Sequence, residues 1–220
     1  MSSRKLDRRD LTNVIAAIAL CNTFASANAQ TIQPVTVKVE FHVNETPLTM
    51  TIPSGFTVVA DSATLETIPY PENQNLYFIL KPTMGDENRH VAVGSRPELN
   101  KTDISRQAFA AMAKSFTKDS ARQELRQSVA RFESLVNQWR AKKGQPGFQS
   151  AKMIDATATD DAIVITAVVS NKDGSEVVNS VRMQHAKNRI VVLAVSSPLK
   201  SRGDITWVVS TMNRLKDCLR

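Results

Sequence analysis

The chain has 220 residues, 42% of them hydrophobic and 22% charged, with a formal net charge of +7 and cysteines at positions 21 and 218 alone. That length fits one domain with a real core, and so mild a surplus, with no dense Lys/Arg stripe interleaved with aromatics, excludes nucleic acid as an expected partner. Two cysteines so far apart exclude a disulfide scaffold and any Cys-x-x-Cys motif.

The first residues read as an export leader. Arg4, Lys5, Arg8 and Arg9 stand ahead of an apolar stretch from Leu11 to Phe24, and Ala25-Ser26-Ala27-Asn28-Ala29-Gln30 follows. This is a charged region, an apolar core and a small-residue site, with Ala27 and Ala29 sized for a signal peptidase and Gln30 as the new N-terminus. A retained membrane span needs about 20 mostly apolar residues, and Asn13, Asn22 and Thr23 interrupt this shorter core. No stable transmembrane anchor is therefore expected after cleavage. Leu20 before Cys21 argues against lipidation there, while Arg8-Arg9-Asp10-Leu11 keeps a twin-arginine route open beside the general one. The leader carries a net +2, so the 191 residues from Gln30 carry +5. They are expected to form a single α+β domain over 30–220.

Val35, Val37, Val39, Phe41 and Val43 alternate with polar residues, and so do Leu48, Met50 and Ile52 after Asn44-Glu45-Thr46-Pro47. A β-hairpin with one buried face is predicted, ended by Pro53-Ser54-Gly55. A short strand at Phe56 to Val59 precedes a loop carrying Pro69 and Pro71. The apolar run Leu76 to Leu80 and the segment His90 to Val93 form a second strand pair.

From Asp103 the period lengthens: Ile104, Ala108, Met112 and Phe116, then Leu125, Val129, Phe132, Val136 and Trp139, follow helical spacing. Asp103 is the expected cap, and Gly144 with Pro146 the expected end. Thr117 to Ser120 lacks an apolar member, so a bent pair of helices competes with one helix over about 103–143. Strands then resume at Phe148 to Asp155, Ala162 to Val169, Val177 to Gln184 and Arg189 to Val195, an antiparallel meander. A last helix is expected with Asp204 as its cap and Ile205, Val208, Val209, Met212, Leu215 and Leu219 on one face. The predicted class is α+β: an antiparallel sheet of N-terminal strand pairs and a C-terminal four-strand meander, packed by a long central helical segment and a C-terminal helix.

The entry Met50-Thr51-Ile52-Pro53-Ser54-Gly55-Phe56, the mid-chain helix, the Ala162 to Val195 meander and the closing helix from Asp204 follow one another in an order that resembles the Mog1/PsbP-like group. That group includes periplasmic DcrB-type proteins and exported lipoproteins of actinobacteria. The resemblance implies a compact binding or accessory domain that is typically not an enzyme, and it transfers no functional residue. The helical stretch here is longer than the group's usual single helix.

The residues themselves offer little chemistry. His42, His90 and His185 fall in or beside predicted strands; Glu40 and His42 share a strand face and amount to half a metal site at most, so neither metal nor cofactor is expected. Asp160-Asp161 reads as a turn rather than a catalytic pair. No Gly-x-Ser-x-Gly, His-Glu-x-x-His or phosphate-cradling loop occurs. Cys218 reads as a packed residue of the terminal helix, and Trp139 and Trp207 as core anchors. Arg122, Arg126, Arg140, Lys142 and Lys143 fall on the helical side away from Leu125, Val129 and Phe132. A solvated face explains that set, and docking to an anionic partner or membrane surface is its functional reading.

The expectation is thus a periplasmic or secreted, non-enzymatic accessory or binding protein that recognises a protein or cell-envelope component. The competing class is a periplasmic hydrolase or small-ligand carrier using Tyr70, Tyr77, His90 and His185 on the sheet; a third is a membrane-attached structural protein that keeps residues 11–24. The sequence sets no oligomeric state.

Overall fold

The computed structural model describes residues 37–60, 75–116 and 146–220, with Asp119, Gln123, Gln127, Asn137, Gln138, Arg140, Ala141 and Gly144. The leader, its cleavage residues Ala27, Ala29 and Gln30, and Arg122, Arg126, Lys142, Lys143 and Tyr70 lie outside these.

Among the described residues, alternating apolar residues produce nine strands: β1 (Lys38–Val43), β2 (Thr46–Thr51), β3 (Phe56–Val59), β4 (Asn75–Pro82), β5 (His90–Ser95), β6 (Phe148–Ala158), β7 (Ala162–Asn171), β8 (Glu176–Ala186) and β9 (Arg189–Pro198). Helices α1 (Arg106–Lys114) and α2 (Arg202–Leu215) and a 3-10 turn at Pro97–Asn100 are further elements among the described residues. Seven strands form one antiparallel sheet in the order β3-β4-β5-β9-β8-β7-β6.

The first hairpin departs from expectation, because β1 and β2 form their own two-stranded sheet. Phe41, Val43, Leu48 and Met50 lie wholly on one side of it, and burying that side requires laying the hairpin flat on the large sheet. Its free edge takes the end of the chain: Thr49 and Arg220 exchange backbone hydrogen bonds at 3.0 and 2.9 Å, and the Thr51 N–H donates to the Cys218 carbonyl at 2.7 Å.

The large sheet is covered on both faces. On one, α1 contributes Phe109, Met112 and Ala113 over Ile163, Ile165, Val181, Met183, Ile190 and Val192. On the other, the hairpin and α2, with Val208, Met212 and Leu215, cover Phe78, Leu80, Val91, Val93, Leu193 and Val195. Double coverage explains why β9 is buried from Ile190 to Ser197 on both sides.

Helix boundaries need correction. The cap of α1 is Ser105, whose hydroxyl accepts the Ala108 N–H at 3.1 Å, while Asp103 is spent on an ion pair with Arg189 at 2.9 Å. Helix α1 ends at Lys114, where the Ser115 N–H folds back onto the Ala111 and Met112 carbonyls. Helical backbone is found again at Asp119, Gln123, Gln127, Asn137, Gln138, Arg140 and Ala141, so the segment is not one unbroken helix. Gly144, at φ +66°, donates to the Ala141 carbonyl at 3.1 Å where the end was expected.

Arg140 also departs from its expected solvated face. Only 1% of it is exposed, and Nη1 donates to Asn171 Oδ1 at 2.6 Å and to the Pro146 carbonyl at 3.0 Å. The last turn of the helical stretch lies against the β7–β8 turn, so its guanidinium caps carbonyl groups there instead of meeting water.

Candidate functional site

Of the carriers of a sheet-centred active site, the described ones, Tyr77, His90 and His185, are not brought together. His90 lies opposite Ser196 and His185 opposite Ile190 on β9, six residues apart or roughly 20 Å along a strand. The Tyr77 hydroxyl bonds the Ser95 hydroxyl at 2.6 Å, with its ring against Phe41 of the hairpin. His185 Nε2 meets the Ile104 carbonyl at 2.7 Å, and its ring leans on Phe109. Asp161 serves a turn, accepting the Thr159 hydroxyl at 2.7 Å. Glu40 and His42 share an exposed face of β1 as expected, and among the described residues no cluster of metal-ligating side chains forms. Cys218 is half-buried, its thiol directed to the Arg214 carbonyl at 3.2 Å and its pKa raised first by burial and then by Asp217.

The interior instead carries a polar row on the α1 side of the sheet: His90, Ser196 and Asn179 stand in register across β5, β9 and β8, each 1% exposed. The Ser196 hydroxyl donates to Asn179 Oδ1, and His90 Nδ1 faces the Asn88 carbonyl at 3.1 Å. A carbonyl only accepts, so the proton sits on Nδ1. These groups are engaged with one another and with backbone, which makes them parts of the scaffold.

Aromatic and cationic side chains meet at the surface, where α2 passes the sheet edge. Ser201 caps α2 in a capping box with Asp204 at its third position, so Asp204 is not the cap but its partner. One Asp204 oxygen accepts the Ser201 N–H at 2.8 Å and the Lys200 N–H at 3.0 Å; the other takes the Arg89 Nη2 at 2.7 Å. Arg89 also donates Nε to the Ser197 hydroxyl at 3.2 Å. So held, its guanidinium lies over Trp207, 4.9 Å from the ring centroid.

Trp207 and Arg214 are seven residues apart, two turns along the same side of α2. Phe56, the first residue of β3, reaches between them: its ring is 6.5 Å from Trp207 and tilted 45°, and the Arg214 guanidinium lies 5.5 Å over it. Gly55, at φ +82°, makes the turn that aims Phe56 there, and its carbonyl takes the Thr83 N–H at 2.9 Å. The result is a column, Arg89–Trp207–Phe56–Arg214, along the flank of α2. Trp207 and Phe56 are half-buried and Arg214 is exposed; Met84, which follows the Thr83 bonded to Gly55, is 86% exposed. Trp207 packs against the core beneath α2, as an anchor is expected to, while its outer face is stacked under Arg89.

Lys200 closes the loop before β5 by an ion pair with Asp86 at 2.6 Å, which raises the lysine's pKa and lowers that of Asp86. For Asp204, burial alone would raise the pKa, but Arg89 and the Ser201 and Lys200 N–H groups outweigh it and hold the carboxyl at about 2. A folded pKa below the ordinary 3.8 means that this stabilisation is present above about pH 4 and lost as pH falls through 2. Asp204→Asn is expected to cost about 2 kcal/mol in urea unfolding at pH 7 and nearly nothing at pH 2. An equal cost at both pH values would show that the charge has no part in it.

No protein-family model and no curated protein matches the chain. Among solved structures, the Saccharomyces cerevisiae Ran-binding protein Mog1p is similar at 12% identity over 84% of this chain and 96% of that one, with a TM-score of 0.41. Cyanobacterial PsbP from Synechocystis sp. PCC 6803 is similar at 11% identity over 88% and 97%, TM-score 0.41. LpqN, involved in cell envelope biogenesis of Mycobacterium tuberculosis, is similar at 14% identity over 83% and 89%, TM-score 0.26. The resemblance noted in the sequence is thus met again among solved structures, at low identity. Among the described residues no helix is long and apolar enough to cross a membrane.

Proposed function

We propose that this protein is an exported accessory protein of the cell envelope, not an enzyme, and that it works by binding a protein partner through the Arg89–Trp207–Phe56–Arg214 column. The leader at residues 1–29 supports export, with cleavage after Ala29. The observation that carries the binding role is the column itself. Tryptophan and arginine, the residue types that dominate the energetics of protein interfaces, are stacked together along the flank of α2, with both guanidinium groups fixed by internal hydrogen bonds. Preordered side chains lose little further freedom when a partner arrives.

A photo-crosslinking amino acid in place of Met84 tests this reading, with Ile154 on the far edge of the sheet as control. In envelope preparations the Met84 position is expected to give one discrete protein adduct that Ile154 does not. Trp207→Ala should reduce it at least about tenfold while the fold survives, since an interface anchor is worth about 2 kcal/mol or more. Adducts equal at both positions, or unchanged by Trp207→Ala, would overturn the assignment.

A further inference from the structure

We propose that the partner segment seated on this surface is an extended acidic peptide, added as an eighth strand beside β3, on the side where no described strand pairs with it, and held through its carboxylates by Arg214. This rests on the column being the binding surface, and three further observations name the partner's chemistry.

The first is the hydrogen-bond register of the edge. The Thr83 N–H donates to the Gly55 carbonyl, and β3 pairs with β4 at Phe56↔Pro82, Thr57↔Lys81, Val58↔Leu80 and Val59↔Ile79. In an antiparallel pair the bonded positions alternate, so residues 55, 57 and 59 face β4 while the N–H and C=O of Phe56 and Val58 point away from the sheet. Pro82, which has no N–H, stands at a position where none is needed. Among the described residues no strand lies on that side, so two donors and two acceptors are offered in the spacing an added strand requires.

The second is the contrast with the other edge. The pairing of β6 with β7 shifts register between Phe148 and Ser150 and again between Met153 and Asp155. Bulges of this kind twist an edge and oppose further pairing. Strand β3 pairs without a register shift.

The third is charge. Arg89 is neutralised by Asp204 and Lys200 by Asp86, whereas among the described residues no carboxylate lies within ion-pair distance of Arg214. Arg214 spends one N–H on the Ser54 carbonyl and is otherwise stacked on Phe56. A guanidinium laid against a ring keeps its remaining in-plane donors available, in the fork that matches a carboxylate. A strand beside β3 carries its side chains past this group. A lipid phosphate would satisfy Arg214 but leave the Phe56 and Val58 backbone groups without partners, so a polypeptide answers both features.

The test titrates the purified protein with a capped hexapeptide of alternating glutamate and valine, its lysine-for-glutamate counterpart, and phosphatidylglycerol vesicles, following backbone amide resonances. The glutamate peptide is expected to shift the Phe56 and Val58 amides and to bind at least about tenfold more tightly than the lysine peptide. Arg214→Glu should reverse that order, while Arg202→Glu on the same helix leaves it in place. Shifts centred on β6, equal affinity for the two peptides, or Arg214-dependent binding of vesicles without peptide binding would each overturn the proposal. If the glutamate peptide fails while Trp207→Ala still abolishes the adduct at Met84, the acidic strand falls and the binding surface stands. Loss of both would remove the surface as well.

Discussion

Between pH 6.5 and pH 3 the protein is expected to lose on the order of 4 kcal/mol of stability through one side chain, His90. The ring is 1% exposed and its pKa is pushed from 6.5 down to about 3 by burial, which outweighs the opposing pull of the Asn88 carbonyl, with a lesser push from the Lys81 charge. A histidine whose folded pKa lies below its unfolded one binds its proton more readily in the unfolded chain. Its contribution is therefore complete above pH 6.5 and drains away as pH falls toward 3, by about 1.4 kcal/mol per unit. His90→Gln keeps an amide that can donate to the Asn88 carbonyl but has nothing to titrate there. The readout is the slope of unfolding free energy against pH, which separates this effect from any cost of the substitution at neutral pH. Parallel slopes for the two proteins from pH 6.5 to 4 would show that His90 is charged in the fold.

Asn100→Ala is expected to cost about 3 kcal/mol, the largest loss predicted for truncating a polar residue here. Asn100 is 1% exposed at the end of the 3-10 turn. Its Oδ1 accepts the Ile190 N–H at 2.8 Å, and its Nδ2 donates to the Ile190 carbonyl at 3.0 Å and the Arg96 carbonyl at 3.1 Å. The β5–β9 ladder runs from His90↔Ser196 to Gly94↔Val192. Ile190 lies just past it, and the Asn100 amide acts there as the missing strand. Alanine would leave both Ile190 backbone groups buried in a fully covered strand, each at a cost of about 1–3 kcal/mol. Urea unfolding measures the loss, and exchange of the Ile190 amide should accelerate with it; a loss under 1 kcal/mol would show that the sheet closes without this residue.

What the sequence reveals and what it conceals follow a common cause. Period and turn chemistry are local, so Phe56 to Val59, the four meander strands and the closing helix were legible, as was the turn role of Asp161. Asp103 and Asp204 are good capping types, but Ser105 and Ser201 take the cap while the aspartates form ion pairs. The amide role of Asn100 had no signal, since it depends on a strand ninety residues away. The column was partly visible, because Trp207 and Arg214 share a helix side by spacing alone. That Phe56 and Arg89 would join them required knowing that β3 and the loop before β5 come to the same flank of α2. Helical spacing shows which side of its helix Arg140 is on but not that this side is covered, and Arg140 is buried.

The order of the large sheet bears on how the chain assembles. Every neighbouring pair in it is also consecutive in sequence, except β5 and β9, whose partners such as Ala92 and Ala194 stand about a hundred positions apart. The sheet is two meanders joined along one seam of five residue pairs. Closing so long a loop adds little to the equilibrium cost, since each doubling of length is worth only about 0.6 kcal/mol, but it is slow compared with forming hairpins. The β6–β9 half can therefore complete its local pairings while the edge of β9, apolar on both sides, is still uncovered. The N-terminal strands act in effect as a built-in chaperone for that edge, and any delay in their arrival leaves the most adhesive strand of the molecule open to a neighbouring chain.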